Sequence, residues 1–394
     1  MTNQAVMNGL EESNFQLTEE QWDIKQCVRE FAETIIAPRA AQIDEDAKFP
    51  FDIYKEMTET GLVSLPYPEA YGGGGVDPVT ECILVEELSR VDLSCALACL
   101  VNVLGSKPIM IGGSEEQKQK YITRITSGES LCAFGLTEAG AGSDFMGIKT
   151  RAIKKGDKYI INGTKLFISH ANISNICTVF AKTSPEPGLK SLSCFIVDKD
   201  FPGFSVGKTE HKLGIRGSET AELIFEDMEV PAENLIATEG AGWKLAMNTL
   251  DTSRPGVGAQ GVGVAQGALD FAFKYARERE QFGKPIGDFE GVQNMLVEMA
   301  MKVEAARLLV YTAANAVHKN SKTKSMYAAL SKCYGGDIAM EVTTDAVQVL
   351  GGYGFTKEFP VERMMRDAKI TQIYEGTNQV QRMVMSRHLL KAYK

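Results

Sequence analysis

The feature that most limits how this chain can fold is a double change of hydrophobic period. Up to about residue 130 apolar side chains recur every three to four positions; from about 131 they alternate, and beyond EVPAENLI the helical spacing returns. EEQWDIKQCVREFAETIIAPRAAQID predicts an amphipathic helix capped by Thr18, and TECILVEELSRVDLSCALACLVNVLG a helix apolar on so much of its face that it is buried on several sides. KYIINGTKLFIS, ICTVFAKT, LSCFIVDKD and AELIFEDMEVP read as strands, with Asn162-Gly163 as a tight hairpin turn. LDFAFKYARERE, NMLVEMAMKVEAARLLVYTAANAVHK, MYAALSKCYGGDIAMEVTTDAVQVL and the tail around QRMVMSRHLL suit a four-helix bundle. The expected fold is mainly α with a central β domain. It has a helical N-terminal domain over 1-131, a small, mostly antiparallel, barrel-like β domain over 132-238 and a C-terminal bundle over 239-394.

This order is not the βαβ alternation of a dinucleotide-binding fold. GVGAQGVG therefore reads as helix packing through small residues, and YPEAYGGGGVD, which follows no clear strand and lacks a Gly-Lys-Ser/Thr ending, as a flexible connector.

Composition removes further classes. With 44% hydrophobic and 24% charged residues the chain is globular, and no apolar run is read as long enough to span a bilayer. A net charge of -9 opposes a nucleic-acid surface. The acidic, polar start MTNQAVMNGLEESNFQ resembles neither a secretory signal nor a transit peptide. Eight cysteines without a C-x-x-C pair read as reduced core thiols of a cytoplasmic protein; Cys95 and Cys99 share a helical face but have no charged neighbour to complete a metal site. Four histidines and no G-x-S-x-G elbow leave a metal centre or a serine triad without support.

TQIYEGTNQ, 371–379, places one carboxylate, Glu375, among amides, hydroxyls and apolar side chains. From these residues alone it is a surface charge, a helix cap or a base, with Thr377 as an N-cap candidate. In CAFGLTEAGAGSD, 132–144, Gly140, Ala141 and Gly142 let the main chain approach a flat or anionic group, and Thr137 and Ser143 add hydroxyls; a plain loop has the same composition. Phe167 and Ser169, two apart in a strand, share a face suited to stacking on a ring and touching its edge, or to core packing. Arg279 is placed to clamp a pyrophosphate or to favour a helix C-terminus, and the paired glycines of QVLGGYGF to approach a phosphate or to cap a helix.

CAFGLTEAGAGSD, KLGIRGSETAELIFEDMEVP, REREQFGKPIGD, QVLGGYGF and RMMRDAKITQIYEGTNQVQR, in this order and at these separations, resemble the flavin-dependent acyl-CoA dehydrogenases from about residue 15 to the C-terminus. The resemblance implies FAD between β domain and bundle, and a homotetramer built from two dimers with FAD partly completed by a neighbouring subunit. It also implies acyl-CoA as substrate and an electron-transferring flavoprotein as partner. Carried over by position, Phe134, Leu136, Thr137, Gly142, Ser143, Phe167, Ile168 and Ser169 lie by the flavin, with Ser143 also at the substrate. Arg279, Phe282, Gln348, Gly351 and Gly352 bind the adenine-pyrophosphate half across the dimer, and Thr377 is a further FAD contact. Asp251, Arg254, Tyr374 and Gly376 hold the thioester, and Glu375 is the catalytic base. It would take the α-proton while hydride leaves the β-carbon for flavin N5. No Lys or Arg between Val91 and Gly105 offers a partner for a second substrate carboxylate, and the acyl group stays open among short, branched, alicyclic and aryl types.

Several positions depart from the family pattern. Ala139 stands where Pro is common, Phe167 where Trp is, Ser169 where Thr is and Glu290 where Gln is frequent. Ser253 occupies the position from which some relatives supply their base. An enoyl-CoA reductase, an acyl-CoA oxidase and a catalytically idle flavoprotein scaffold are the alternatives the same residues allow.

Overall fold

The computed structural model describes residues 17–392, so the reading of the first sixteen positions as free of a targeting segment lies outside the described residues. Helix α1 (Glu19–Phe31) opens on a reciprocal cap: the Thr18 hydroxyl accepts from Gln21 N–H and the Gln21 side chain accepts from Thr18 N–H. It is followed by α2 (Ala40–Asp46), α3 (Phe51–Glu59), α4 (Pro78–Ser89), α5 (Leu93–Gly112) and α6 (Glu115–Thr126). The stretch expected to be a flexible connector is tightly folded. Gly75 N–H donates to Tyr67 O, and a Cβ at Gly73 would meet that same carbonyl oxygen at 2.0 Å, so the glycines permit a close backbone crossing. Contrary to expectation, α5 is long and apolar enough by length and composition to cross a bilayer. In this fold its length serves a core: it packs on α7 and β1, and its Gly105 lies directly on the Cys132 carbonyl.

Seven strands form the middle of the molecule: β1 (Cys132–Gly135), β2 (Arg151–Lys155), β3 (Lys158–Ser169), β4 (Ile176–Lys182), β5 (Leu192–Asp198), β6 (Phe204–Thr209) and β7 (Thr220–Pro231). The half-barrel sheet runs β1-β4-β2-β3-β7-β6, with β5 also on β4; β1 and β4 are parallel, β2 meets β4 at one parallel pair, and the other pairings are antiparallel. Asn162-Gly163 is not a hairpin turn. It lies inside β3 at an irregularity opposite β7, where the Asn162 side chain bonds Asp227 and Gly163 sits against Thr150; the chain turns instead at Gly156 (φ 64°). Asn-Gly relieves crowding at a bulge as readily as it closes a turn.

Helix α7 (Gly242–Glu278), the hairpin β8 (Glu280–Gln281) and β9 (Lys284–Pro285), α8 (Glu290–His318), α9 (Lys324–Leu350), α10 (Val361–Ala368) and α11 (Asn378–Ala392) complete the fold. Helices α7, α8 and α9 pack on one another and α11 packs on α9, as the bundle reading required. The glycines of GVGAQGVG do pack helices: a Cβ at Gly261 would lie 2.4 Å from Gly335 O on α9, and one at Gly263 2.3 Å from Glu86 O on α4. Among the described residues every cysteine is unpaired; seven are buried and Cys27 is exposed, so one of the eight departs from the core-thiol reading. No group of His, Cys, Asp and Glu suited to a metal occurs among the described residues.

Candidate active site

Glu375 stands in the short turn between α10 and α11 with φ 52°, a left-handed conformation costly for a side chain with a Cβ. Three side chains hold it there. Arg254 Nε donates to Glu375 O at 3.3 Å, Gln381 Nε2 donates to the carbonyls of Glu375 (3.3 Å) and Gly376 (2.9 Å), and Lys332 Nζ donates to Gly376 O at 2.8 Å. Thr377 Oγ1 accepts from Val380 N–H and so caps α11. Gly376 sits at φ 93°, a backbone conformation that residues with a Cβ adopt only under strain, so glycine suits this position.

The cap role expected in this segment therefore belongs to Thr377, and the Glu375 side chain turns inward. Its Oε2 lies 2.5 Å from Ser253 Oγ on α7. Burial raises the carboxyl pKa; the Ser253 hydrogen bond and the charges of Arg254, Lys332 and Lys107 act against that rise without cancelling it. A carboxylate so desolvated is a stronger base than one in water. Its own amide N–H donates to no acceptor among the described residues and remains available to an anionic oxygen.

Asp251 and Arg254, one helical turn apart on α7, are paired at 2.9 Å, with Arg254 buried. Tyr374 turns its hydroxyl to Gln260 Oε1. Ser253, Val257 and Gln260 follow one another at i, i+4 and i+7, so one face of α7 runs from the Glu375 carboxylate to the Tyr374 contact over about 10 Å. Thus Asp251, Arg254, Tyr374, Glu375, Gly376 and Thr377 converge.

A second group gathers on the β domain. Phe167 is 61% exposed at φ 58°, where the β3–β7 register shifts, and Ser169 is partly exposed; Ile168 is buried in the sheet core. Leu136 is buried, Phe134 packs on Phe180 at 5.2 Å, and Gly142 and Ser143 lie exposed in the following loop. Lys165, wholly buried, ties this loop to β3: Nζ donates to Leu136 O (3.1 Å) and to Glu138 Oε1 (2.8 Å), while Leu166 N–H donates to Thr137 O.

The third group lies elsewhere. Arg279 ends α7, roughly 38 Å along the helix from Arg254. Its guanidinium sits over Tyr353, next to Gly351 and Gly352, and Gly351 ends α9 at φ 61°. Phe282 is 95% exposed at the β8–β9 turn and Gln348 is exposed.

The second and third groups fit the two ends of FAD. The Thr137, Ser143 and Ser169 hydroxyls have no hydrogen-bond partner among the described residues, side-chain space beside Gly142, Gly351 and Gly352 is open, and two aromatic faces are uncovered. Sequence reasoning missed Lys332, Gln381, Gln260 and Lys107. Lys332 alone carried a signal, as a charge amid the small and apolar residues of YAALSKCYGG; burial pushes it down to about 8.

Comparison with known proteins agrees with this arrangement. The family patterns described as acyl-CoA dehydrogenase N-terminal, middle and C-terminal domains match residues 18–129, 133–228 and 240–390. A relative from Mycobacterium tuberculosis, "Probable acyl-CoA dehydrogenase FadE25", is 48% identical over 96% of this chain and 97% of its own length. Butyryl-CoA dehydrogenase from Megasphaera elsdenii superposes with a TM-score of 0.93 at 42% identity, covering 96% of this chain and 100% of that one. A chain solved under the description "Electron transferring flavoprotein of Acidaminococcus fermentans" superposes at 0.94 with 50% identity, over 96% and 99%. The chain belongs to the acyl-CoA dehydrogenases, a family of FAD-dependent flavoenzymes.

Proposed function

We infer that the protein oxidises a short-chain acyl-CoA to its 2-enoyl thioester, with Glu375 as the base. The observation that carries this reading is the inward carboxylate at 375, partly desolvated and pinned through its own carbonyl and that of Gly376. Glu375 removes the α-proton. As charge develops on the thioester carbonyl, the Glu375 N–H donates to it; in other enzymes removal of one such donor costs about 3 kcal/mol. Bound FAD supplies the hydride acceptor for the β-carbon. Arg254, fixed by Asp251, holds the pantetheine side of the thioester and keeps the base backbone in place.

The Tyr374–Gln260 contact supports a short acyl group, because it closes the α7 face about two helical turns from the base. The butyryl-CoA enzyme among the structural relatives agrees with this size. Electrons pass to an electron-transferring flavoprotein, in keeping with the Acidaminococcus fermentans structure. A homotetramer built from dimers brings Arg279, Phe282, Gln348, Gly351 and Gly352 to a neighbour's FAD, since within one chain they lie far along α7 from Arg254. The unpaired thiols suit the cytosol.

The test is a panel of straight, branched, alicyclic and aryl acyl-CoA thioesters mixed anaerobically with the holoenzyme. Fastest flavin bleaching with the four-carbon member, followed by reoxidation faster with the electron-transferring flavoprotein than with oxygen, is expected. Fastest bleaching with a long-chain or aryl thioester would refute the short-chain assignment.

A further inference from the structure

Ser253 is a helix-interior serine facing the one carboxylate on which the proposed reaction depends. Its hydroxyl has two acceptors, Leu250 O at 3.3 Å and Glu375 Oε2 at 2.5 Å, and a single proton to give. The carboxylate is both nearer and charged, and a hydrogen bond to a charged acceptor is about twice as strong as one to a neutral carbonyl. Serine inside a helix ordinarily bonds back to a carbonyl of the preceding turn; here that ordinary partner is the weaker one.

We propose that Ser253 is the positioning residue of the base: its hydroxyl holds the Glu375 carboxylate against α7 and favours its ionised form. The inference rests on Glu375 being the base. The other charged groups around the carboxylate act at longer range or on the backbone. Arg254, on α7 beside Asp251, donates to the Glu375 carbonyl, and Lys332, on α9, donates to Gly376 O and to Asn378 Oδ1. Lys107, on α5, lies 3.4 Å from Glu81 of α4, and Tyr374 hydrogen-bonds Gln260. Of these only Ser253 hydrogen-bonds the carboxylate itself.

The experiment uses the holoenzyme and reads Glu375 in two ways: the acid limb of the single-turnover rate of flavin reduction, and the carboxyl infrared absorption titrated as a parent-minus-Glu375→Gln difference. Ser253→Ala should move both values upward by about one unit. Ser253→Cys, a weaker donor of similar shape, should fall between, and Ser253→Thr should restore the parent values. Coincident titrations for parent and Ser253→Ala, or an Ala-like shift in Ser253→Thr, would overturn the assignment. If Ser253→Ala does not fold, the Cys and Thr variants decide it by the same order. A Glu375→Gln enzyme that turns over normally removes the base reading itself, and the inference with it; slow Glu375→Gln turnover with an unmoved Ser253→Ala limb removes only the inference.

Discussion

At the scale of the residue, Glu375 combines a strained backbone with a desolvated charge, and both have measurable consequences. Because burial raises its pKa, the unfolded chain ionises first as pH climbs from the ordinary carboxylate value, about 4.5, and the folded state loses stability until its own carboxyl has ionised. Above that point the loss is constant. Glu375→Gln, which does not titrate, should therefore melt higher than the parent at pH 7 and converge with it near pH 4; thermal denaturation across that range checks this, and a variant less stable at every pH would contradict it. Gln260→Ala removes the acceptor of the Tyr374 hydroxyl and opens the far end of the α7 face. Its preference among straight thioesters should shift to longer chains by about tenfold in kcat/KM, the scale of one or two methylenes in an apolar pocket. The residues of its own turn left Glu375 open as a surface charge, a cap or a base, and only the family resemblance singled it out as the base. Its partners were not legible, since Ser253 lies 122 residues away and Lys332 44 from Gly376, and nothing local marks a helical serine or glutamine as facing a site.

At the scale of the element, the crossings of α7 and the tie between β3 and the loop after β1 set the geometry. A Cβ at Gly267 would lie 1.9 Å from Arg90 O, a backbone atom unable to yield. Gly267→Ala should cost at least about 1–3 kcal/mol by chemical denaturation. Lys165 and Glu138 form a buried ion pair: burial drives Lys165 down to about 8, while the rise that burial imposes on Glu138 is more than offset by Lys165 and by hydrogen bonds from Thr150 and Lys149 N–H. Lys165→Met strands that carboxylate and should cost about 3–5 kcal/mol, with flavin released at a lower temperature than in the parent. Unchanged melting would show the pair to be dispensable. Hydrophobic period revealed four of the seven strands of the sheet and the long helices, but it joined α4 and α5 into one helix, where Asp92 accepts from Cys95 N–H and caps a new start. It misplaced the Asn162-Gly163 turn because a bulge and a hairpin ask for the same residues, and it took the glycine-rich segment for a connector because close backbone packing leaves no pattern of apolar side chains.

At the scale of the whole molecule, the reading depends on more than one copy. Phe282, almost fully exposed, and Arg279, stacked on Tyr353, stand far along α7 from the Arg254 end. If a neighbour's cofactor covers them, Phe282→Ala should weaken FAD retention by about tenfold or more, the loss expected for an aromatic anchor at an interface. Mass measurement of the diluted protein should show flavin loss and subunit dissociation together. FAD retained by a monomeric Phe282→Ala variant would contradict the shared site. Domain order was legible throughout the chain, whereas this separation of the cofactor residues emerges only once α7 is seen as one unbroken helix of 37 residues.

The most direct measurement is the rate at which butyryl-CoA bleaches the flavin of Glu375→Gln holoenzyme in a single anaerobic turnover. A folded, yellow protein slowed at least about 100-fold is the predicted result. Bleaching at the parent rate would show that another group takes the proton.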